Sequence, residues 1–207
     1  MSSDHTTTGA GATDFVAAQL DAGIDAWAQL AAQVAEPALR DAVHAAGQAV
    51  LDALRSGRTL LVAGNGGSAS VSSHVAAEFL GKCVVDRHPL PAISLAESHS
   101  SLTAIGNDYG FDQVFLRGVQ AFGRPGDVLL AMSTSGTSPN IVAALAEARE
   151  RGLVTILMTG AKGAGQGHLA DHLLVVPSSQ TPRIQEVHLL WAHSWCEAVD
   201  HAMQGDG

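Results

Sequence analysis

Residues 59–68, TLLVAGNGGS, give the clearest indication of the fold. Residues 59–63 form a short apolar run in which polar and apolar side chains do not alternate, which is typical of a strand buried on both faces. A glycine-rich turn follows this run, and helical spacing begins at Ser68 and continues to Leu80. A buried strand that leads through a tight turn into a helix is the basic unit of a parallel α/β sheet.

Four further apolar runs have the same character, at residues 91–95, 127–132, 153–158 and 172–176. Stretches with helical spacing lie between or after them, at residues 101–105, 111–122, 138–151 and 182–203. Strands that alternate with helices predict an α/β fold with a mostly parallel sheet and right-handed crossovers. No linker-like stretch interrupts this pattern, so we expect one domain over residues 13–207.

Two amphipathic helices are predicted before the first strand, in residues 13–57. Apolar residues at spacings of three and four predict the first helix over residues 14–33. The second helix is predicted from Pro37, a residue suited to a first helical turn, to near Gly57. A helical pair is more than a small sheet needs, so we expect it to pack between subunits. Residues 1–12 are predicted to be a flexible tail.

Composition excludes several classes of protein. The chain has 207 residues, a formal net charge of −9 and only 4% aromatic residues, a balance that disfavours binding to nucleic acid. No apolar run reaches the roughly 18 residues of a membrane span, and the N-terminus lacks the pattern of a signal peptide. Since Cys83 and Cys196 are the only cysteines, no disulfide framework is expected and the cytoplasm is the default compartment.

A second strand-to-helix loop, residues 133–138 (STSGTS), is rich in hydroxyl side chains. The first amides of the following helix lack partners within the helix, and the helix dipole favours an anion there. Hydroxyl groups add neutral donors, so the loop could hold a phosphate without a nearby lysine. The loop is not a Walker motif, because no Gly-Lys pair follows. The alternative is a Ser/Thr-rich turn in which Ser138 caps the helix.

The two loops are more informative together than apart. The glycine-rich loop alone is a weak signal, and it lacks the sixth-position glycine of the dinucleotide-binding fingerprint. Both loops follow predicted strands of one parallel sheet, and ligands of open α/β sheets bind at the carboxyl ends of the strands. The pair indicates a phosphorylated small molecule with a polar body, such as a sugar phosphate.

Four motifs in this order and spacing resemble the sugar isomerase (SIS) domain: GNGGS at 64–68, GND at 106–108, STSG at 133–136 and RIQE at 183–186. More narrowly, the chain resembles the bacterial phosphoheptose isomerases over residues 15–201. These enzymes interconvert sedoheptulose 7-phosphate and D-glycero-D-manno-heptose 7-phosphate.

The resemblance implies a flavodoxin-like SIS fold, with a five-stranded parallel sheet, helices on both faces and an N-terminal helical pair. It also implies a homotetramer with active sites at subunit contacts. The phosphate-binding residues would be Ser133, Thr134, Ser135 and Ser138. The residues lining the sugar would be Asn65, Gly66, Gly67, Ser68, Asn107, Asp108 and Gln185.

A candidate metal site involves two predicted helices. His74 and Glu78 are four residues apart and share a helix face, whereas Gln185 and His193 are offset by roughly 80° on the last helix. Imidazole, carboxylate and amide oxygen suit zinc or another divalent ion. A His/Glu pair at this spacing is more often a surface pair, but the resemblance implies zinc bound by all four residues.

Other histidines compete for a functional role. His188 lies three residues after Gln185 and is the nearest alternative ligand. His44 and His201 are interpreted as solvated or packing residues, and His99 is a weaker candidate for the pocket because it precedes the GND motif.

An aldose–ketose isomerisation moves a proton between C1 and C2 of the sugar. Our hypothesis assigns Glu78 as the base for the carbon proton and His193 as its acid–base partner. A metal ion would polarise the carbonyl. Because a carboxylate bound to a metal is a weaker base, the sequence leaves open whether Glu78 is ligand, base or both.

Two departures and two rival functions remain. Pro182 stands where several phosphoheptose isomerases carry Asp, which puts the accessory role of that position in doubt. Val71 stands three residues before His74, where Asp is common in these enzymes, and this departure bears on the substrate more than on the fold. The first rival is a non-catalytic, replication-initiator-associating SIS protein, a group that lacks the carboxylate and histidine found here at Glu78 and His193. The second rival is an SIS isomerase or sensor for another sugar phosphate.

Overall fold

The computed structural model of this chain describes residues 10–205. Its centre is a five-stranded sheet in the order β2-β1-β3-β4-β5, with all neighbours parallel. The strands are β1 Leu60–Gly64, β2 Ala92–Ser94, β3 Val128–Ser133, β4 Val154–Gly160 and β5 His172–Val176. This is the flavodoxin-like order of a doubly wound fold, so the predicted α/β class is confirmed.

The α-helices are α1 Ala10–Val34, α2 Pro37–Arg55, α3 Gly67–Leu80, α4 His99–Tyr109, α5 Leu116–Phe122, α6 Pro139–Glu150 and α7 Thr181–Ala202. Short 3₁₀ helices occupy Phe111–Gln113 and Ala161–Gly163. Every predicted strand is present, and each boundary moves by no more than two residues. Within the described residues, no helix is long and apolar enough to span a membrane.

Two local predictions are wrong. Helix α1 begins at Ala10, so it extends into residues 10–12 that were assigned to the tail, and residues 1–9 lie outside the described part. The helix predicted over residues 111–122 is broken into a 3₁₀ turn and α5. The break lies at Val114 and Phe115, each only 2% exposed, because the turn inserts both side chains into the core.

The sheet separates two hydrophobic cores, as the unbroken apolar runs require. Leu60 and Val62 of β1 face the core formed with α2, α3 and α7, whereas Leu61 and Ala63 face the core formed with α5 and α6. Helix α3, which follows β1, and helix α6, which follows β3, therefore lie on opposite faces of the sheet.

The placement of α3 and α6 on opposite faces of the sheet opens a candidate ligand-binding site. Strands β1 and β3 are neighbours, with Gly64 in register with Met132, so their carboxyl ends lie side by side. The chain leaves β1 toward one face and β3 toward the other, which opens a crevice between the two loops. Ligands of doubly wound folds bind at this switch point.

Candidate active site

The hydroxyl loop after β3 holds its side chains against one another. Ser133, only 5% exposed, places its Oγ 3.1 Å from Ser138 Oγ and 3.5 Å from Ser135 Oγ. Ser138 occupies the N-cap position of α6, yet its hydroxyl makes no bond to the helix amides. The hydroxyls thus cluster at the start of α6 and leave the helix end without a side-chain cap, as an anion site requires.

Glycine is needed at the tip of this loop. Gly136 has φ +71°, and a Cβ there would lie 2.8 Å from the Cα of Gly163 and 3.0 Å from Thr159 Oγ1. Thr134 lies beside this contact, because its carbonyl accepts a hydrogen bond from the Gly160 amide at 3.2 Å. The loop is therefore packed against the end of β4 and has a fixed backbone.

The glycine loop after β1 is fixed to the start of α6 by an amide pair. Asn65 donates to Asn140 Oδ1 at 2.9 Å, and Asn140 donates to Asn65 Oδ1 at the same distance. Asn140 is 2% exposed. The sequence offered Asn65 as a sugar ligand but gave no role to Asn140, although both residues stand at the start of helices beside the crevice.

Gly66 and Ser68 complete the turn into α3. Gly66 is the N-cap with φ +54°, a conformation that favours glycine. Ser68 is 3% exposed, and its amide donates to the Asn65 carbonyl at 3.0 Å. Gly66 and Gly67 are exposed at this turn, whereas Ser68 is buried.

Gln185 of α7 packs directly on Gly67. A Cβ at position 67 would come within 2.6 Å of Gln185 Nε2 and 2.8 Å of its Oε1. Only glycine therefore lets the amide of Gln185 reach the first turn of α3. This contact brings the predicted ligand on α7 to the mouth of the glycine loop.

A cluster of His74, Glu78 and His193 lies between α3 and α7. The two Nε2 atoms of His74 and His193 are 2.8 Å apart, although 119 residues separate them in sequence. His74 Nε2 lies 3.4 Å from Glu78 Oε1. One potential ligand atom from each of the three residues lies within 4.8 Å of the others, an arrangement that could hold a metal ion.

The cluster is reachable from outside. The side chain of His74 is 45% exposed and that of Glu78 is 19% exposed. Cys83 lies next to Glu78, and burial together with the Glu78 carboxylate raises the pKa of its thiol to about 11. The thiol is therefore protonated at neutral pH and adds no charge beside the carboxylate.

The side chains of Asn107 and Asp108 form a hydrogen bond with each other and, within the described residues, none with the two loops or the His/Glu/His cluster. Both are exposed in the last turn of α4, where Asn107 Nδ2 donates to Asp108 Oδ1 at 2.7 Å. Their polar side chains bond to each other, and the described contacts do not join them to either loop.

The other histidines are elsewhere. His188 is fully buried beside Trp191, with ring centroids 6.2 Å apart. Burial lowers the pKa of His188, and the nearby Thr159 backbone offsets part of that fall. The resulting pKa is about 4. His44, His99 and His201 are exposed, and none of these four joins the cluster in the described structure.

The fold and its paired loops define a class of protein. A family profile described as the SIS domain matches residues 24–160, more than half of the chain. The class is therefore that of the SIS domain proteins.

Comparison with individual relatives identifies a family within this class. A phosphoheptose isomerase from Bradyrhizobium sp. (strain ORS 278) is 55% identical over 158 residues, which cover 76% of this chain and 80% of the relative. The structure of phosphoheptose isomerase from Neisseria gonorrhoeae aligns with a TM-score of 0.80 at 38% identity and covers 91% of this chain and 98% of that one. The Francisella tularensis enzyme aligns with a TM-score of 0.81 at 34% identity, over 88% and 97%. This chain belongs to the phosphoheptose isomerase family.

Proposed function

We propose that this protein interconverts sedoheptulose 7-phosphate and D-glycero-D-manno-heptose 7-phosphate. The observation that most supports this proposal is that His74, Glu78 and His193 lie together in a fold that matches a phosphoheptose isomerase. The reaction is an aldose–ketose isomerisation, so the site must hold a phosphate at one end and move a proton at the other.

The hydroxyl loop binds the phosphate in this proposal. Ser133, Thr134, Ser135 and Ser138 present neutral donors, and the start of α6 adds backbone amides and the positive end of its dipole. Ser133 and Ser138 are already within 3.1 Å of each other, so little rearrangement is needed to present both hydroxyls to one anion.

The glycine loop and α4 contact the sugar in this proposal. Gly66, Gly67 and Ser68 offer backbone groups at the crevice. Asn65 supports this loop through Asn140, and Asn107 and Asp108 approach the sugar from α4.

The donor set fits a divalent cation. His74, Glu78 and His193 supply two imidazole nitrogens and a carboxylate, and Gln185 can add an amide oxygen from the same helix as His193. This mixed nitrogen and oxygen set is one that zinc accepts. When bound, the ion would supply positive charge that polarises the sugar carbonyl and stabilises the enediolate.

The cluster moves the proton between C1 and C2. Glu78 takes the proton from the carbon next to the carbonyl and delivers it to the former carbonyl carbon. His193 is its acid–base partner, which gives a proton to the carbonyl oxygen and takes one from the neighbouring hydroxyl. The carboxylate and the imidazole come from opposite helices, so the substrate carbon can lie between them. Each such group contributes roughly 10²–10⁴-fold to the rate.

Both rival functions are less well supported. A non-catalytic SIS protein has no need for Glu78 and His193, and this chain carries both in one cluster. An isomerase for another sugar phosphate would share the chemistry, so shorter ketose phosphates should be assayed beside sedoheptulose 7-phosphate. Turnover of those substrates in preference to sedoheptulose 7-phosphate would contradict the assignment.

A homotetramer is the assembly that we propose. Helix α1 exposes four large apolar side chains, Phe15, Val16, Leu20 and Ile24, by 58–68%. An apolar groove of about 550 Å³ lies between α2 and α7 and includes Leu190, Trp191 and Trp195. Apolar surface of this extent favours an interface. A second copy that covers it would place subunit contacts near α7, which carries Gln185 and His193.

The assembly is testable by light scattering. Leu20→Asp should lower the measured mass toward that of a dimer or monomer, whereas the control Gln19→Glu on the same exposed helix should not. A wild-type monomer at micromolar concentration would contradict the shared-site arrangement. We also propose that residues 13–207 act as one domain in the cytoplasm, where the free thiols of Cys83 and Cys196 would persist.

The reaction itself is tested with the purified protein and sedoheptulose 7-phosphate. Formation of the aldose should be detected by NMR, together with exchange of the C1 or C2 proton in deuterated water. The same protein with Glu78→Gln is the control for a contaminating isomerase. Product formation that is equal in both samples would contradict the proposal.

A further inference from the structure

A fully buried ion pair lies just behind the cluster. Arg87 Nε and Asp200 Oδ1 are 2.8 Å apart, and both side chains are 0% exposed. Arg87 belongs to the segment that follows α3, and Asp200 belongs to the last turns of α7. The pair therefore joins the two helices that carry His74, Glu78 and His193.

Asp200 also binds the backbone after α3. Its Oδ2 accepts hydrogen bonds from the amides of Cys83, Val84 and Val85 at 2.9, 2.8 and 3.1 Å. Burial alone would raise the pKa of Asp200, but these amides and Arg87 outweigh it and hold that pKa below its ordinary value. The carboxylate is thus charged and serves as an anchor for the segment beginning at Cys83.

Arg87 completes the anchor from the other side. Its Nη2 donates to the carbonyl of Glu78 at 3.0 Å, and its Nη1 donates to the carbonyls of Phe79 at 2.9 Å and Gly81 at 3.2 Å. These carbonyls belong to the end of α3, where no partner within the helix is available. The guanidinium therefore holds the backbone of the residue whose carboxylate lies in the cluster.

The helix geometry connects the pair to His193 as well. Asp200 lies seven residues after His193, close to two full turns, so the two side chains share a face of α7. On that face Asp200 reaches the end of α3, while His193 reaches His74. The buried pair thus adds a polar contact to the apolar packing of α3 against α7, at the end of α3 that carries Glu78.

The choice of residues argues for more than stability. Removing two charges from water carries a large desolvation penalty, and apolar residues of similar size often hold helices together equally well. What an apolar pair cannot do is fix donors and acceptors at defined positions on the Glu78 backbone. Fixed geometry behind metal ligands typically changes affinity or activity by 10–100-fold when lost.

We propose that Arg87 and Asp200 are positioning residues that set the geometry of the His74–Glu78–His193 cluster. This inference rests on the proposed function of the cluster as a metal and acid–base site. Neither residue touches the substrate. They act by holding the Glu78 backbone and the α7 face that carries His193 in register.

Two variants test this role. Asp200→Asn keeps the shape of the side chain but removes its charge. Arg87→Lys keeps the charge but removes the guanidinium N–H groups that donate to the carbonyls of Glu78 and Phe79. For each, zinc affinity is measured by competition with a chromophoric chelator, and kcat and KM are measured per folded subunit. We expect roughly 10–100-fold weaker zinc binding and a similar fall in kcat, with KM changed by less than about twofold.

A matched control separates positioning from stability. Asp127 is 3% exposed and accepts from the amides of Thr59 and Arg124 at 2.8 Å each, at the amino end of the sheet away from the cluster. Asp127→Asn should lower the melting temperature while zinc affinity and kcat per folded subunit stay at wild-type values. Variants of the pair that behave like Asp127→Asn would overturn the proposal.

The remaining outcomes are also decisive. If wild-type protein neither binds zinc nor isomerises sedoheptulose 7-phosphate, the proposed function fails and the pair loses the site it would position. If Asp200→Asn does not fold, the zinc affinity and kcat of Arg87→Lys test the proposal. If neither variant folds, the pair is a requirement for folding and the positioning role is rejected.

Discussion

The hydroxyl loop and the His74–Glu78–His193 cluster are assembled in different ways. The loop is one continuous segment, residues 133–138, whose hydroxyls lie close because the backbone turns sharply at Gly136. The cluster joins side chains that are 119 residues apart, and only the packing of α3 against α7 brings them together. A local site depends on its own turn, whereas a composite site depends on everything that holds two helices in register.

This contrast predicts different sensitivities. Substitutions in the loop should change how tightly the phosphate binds and leave the chemistry intact. Substitutions near the cluster should change turnover, even when they lie behind the ligands.

The largest effect is expected from Glu78→Gln. The variant should lose about 10²–10⁴-fold in kcat because the amide cannot accept the carbon proton, and the fold should be retained because the side chain is partly exposed. Steady-state kinetics and circular dichroism check this. Near wild-type turnover with metal still bound would remove Glu78 from the role of base.

Gly67→Ala tests the contact between the loop and α7. Its Cβ would come within 2.6 Å of Gln185 Nε2, so the amide must move away. We expect zinc affinity to fall by roughly 10-fold or more, as measured by chelator competition. Gly165→Ala, where a Cβ meets nothing within 4 Å, is the matched control. Equal zinc affinity in both variants would show that the packing of Gln185 on Gly67 does not contribute to metal binding.

Ser138→Ala tests the local site. Loss of one hydroxyl donor to a charged phosphate should raise KM by about tenfold with little change in kcat. Ser56→Ala is the control, since the Ser56 hydroxyl donates to the Asp52 carbonyl on an exposed helix end. A fall in kcat at unchanged KM would contradict the division between binding loop and chemical cluster.

His188→Leu should change stability and leave turnover unaffected. The folded-state pKa of His188, about 4, lies below its ordinary value of 6.5, so the unfolded chain takes up the proton first. The contribution of neutral His188 to the free energy of unfolding is therefore fully present above about pH 6.5 and is lost as the pH falls toward 4. Between about pH 7 and about pH 4.5 this group should remove roughly 2–3 kcal/mol from the free energy of unfolding.

Urea denaturation at the two pH values measures this effect. The decrease in the free energy of unfolding should be smaller in His188→Leu than in the wild type by that amount. An equal decrease in both proteins would show that His188 is not buried in the neutral form. A loss of kcat in the variant would instead return His188 to the list of candidate ligands.

The sequence predicted the fold because its signals are local. Unbroken apolar runs, the glycine turn at 64–67 and the hydroxyl loop each specify an element from neighbouring residues. The break at Val114 and Phe115 was missed because burial under α6 overrides a helical pattern. The start of α1 was missed because the alanines at residues 10 and 12 favour helix in a segment whose composition also suits a tail.

The candidate site was only partly predictable for the same reason. His74 and Glu78 share a helix face, which spacing can show, but their approach to His193 depends on how α3 and α7 pack. The roles of Asn140, Arg87 and Asp200 have no local signature. Each acts through a partner distant in sequence, and such pairings become visible only in three dimensions.

Turnover of sedoheptulose 7-phosphate before and after chelation, followed by addition of zinc, tests the metal site most directly. We expect chelation to abolish turnover and about one equivalent of zinc per subunit to restore it, since one cluster holds one ion. Turnover that persists after complete removal of metal, verified by elemental analysis, would contradict the role given to His74, Glu78, Gln185 and His193.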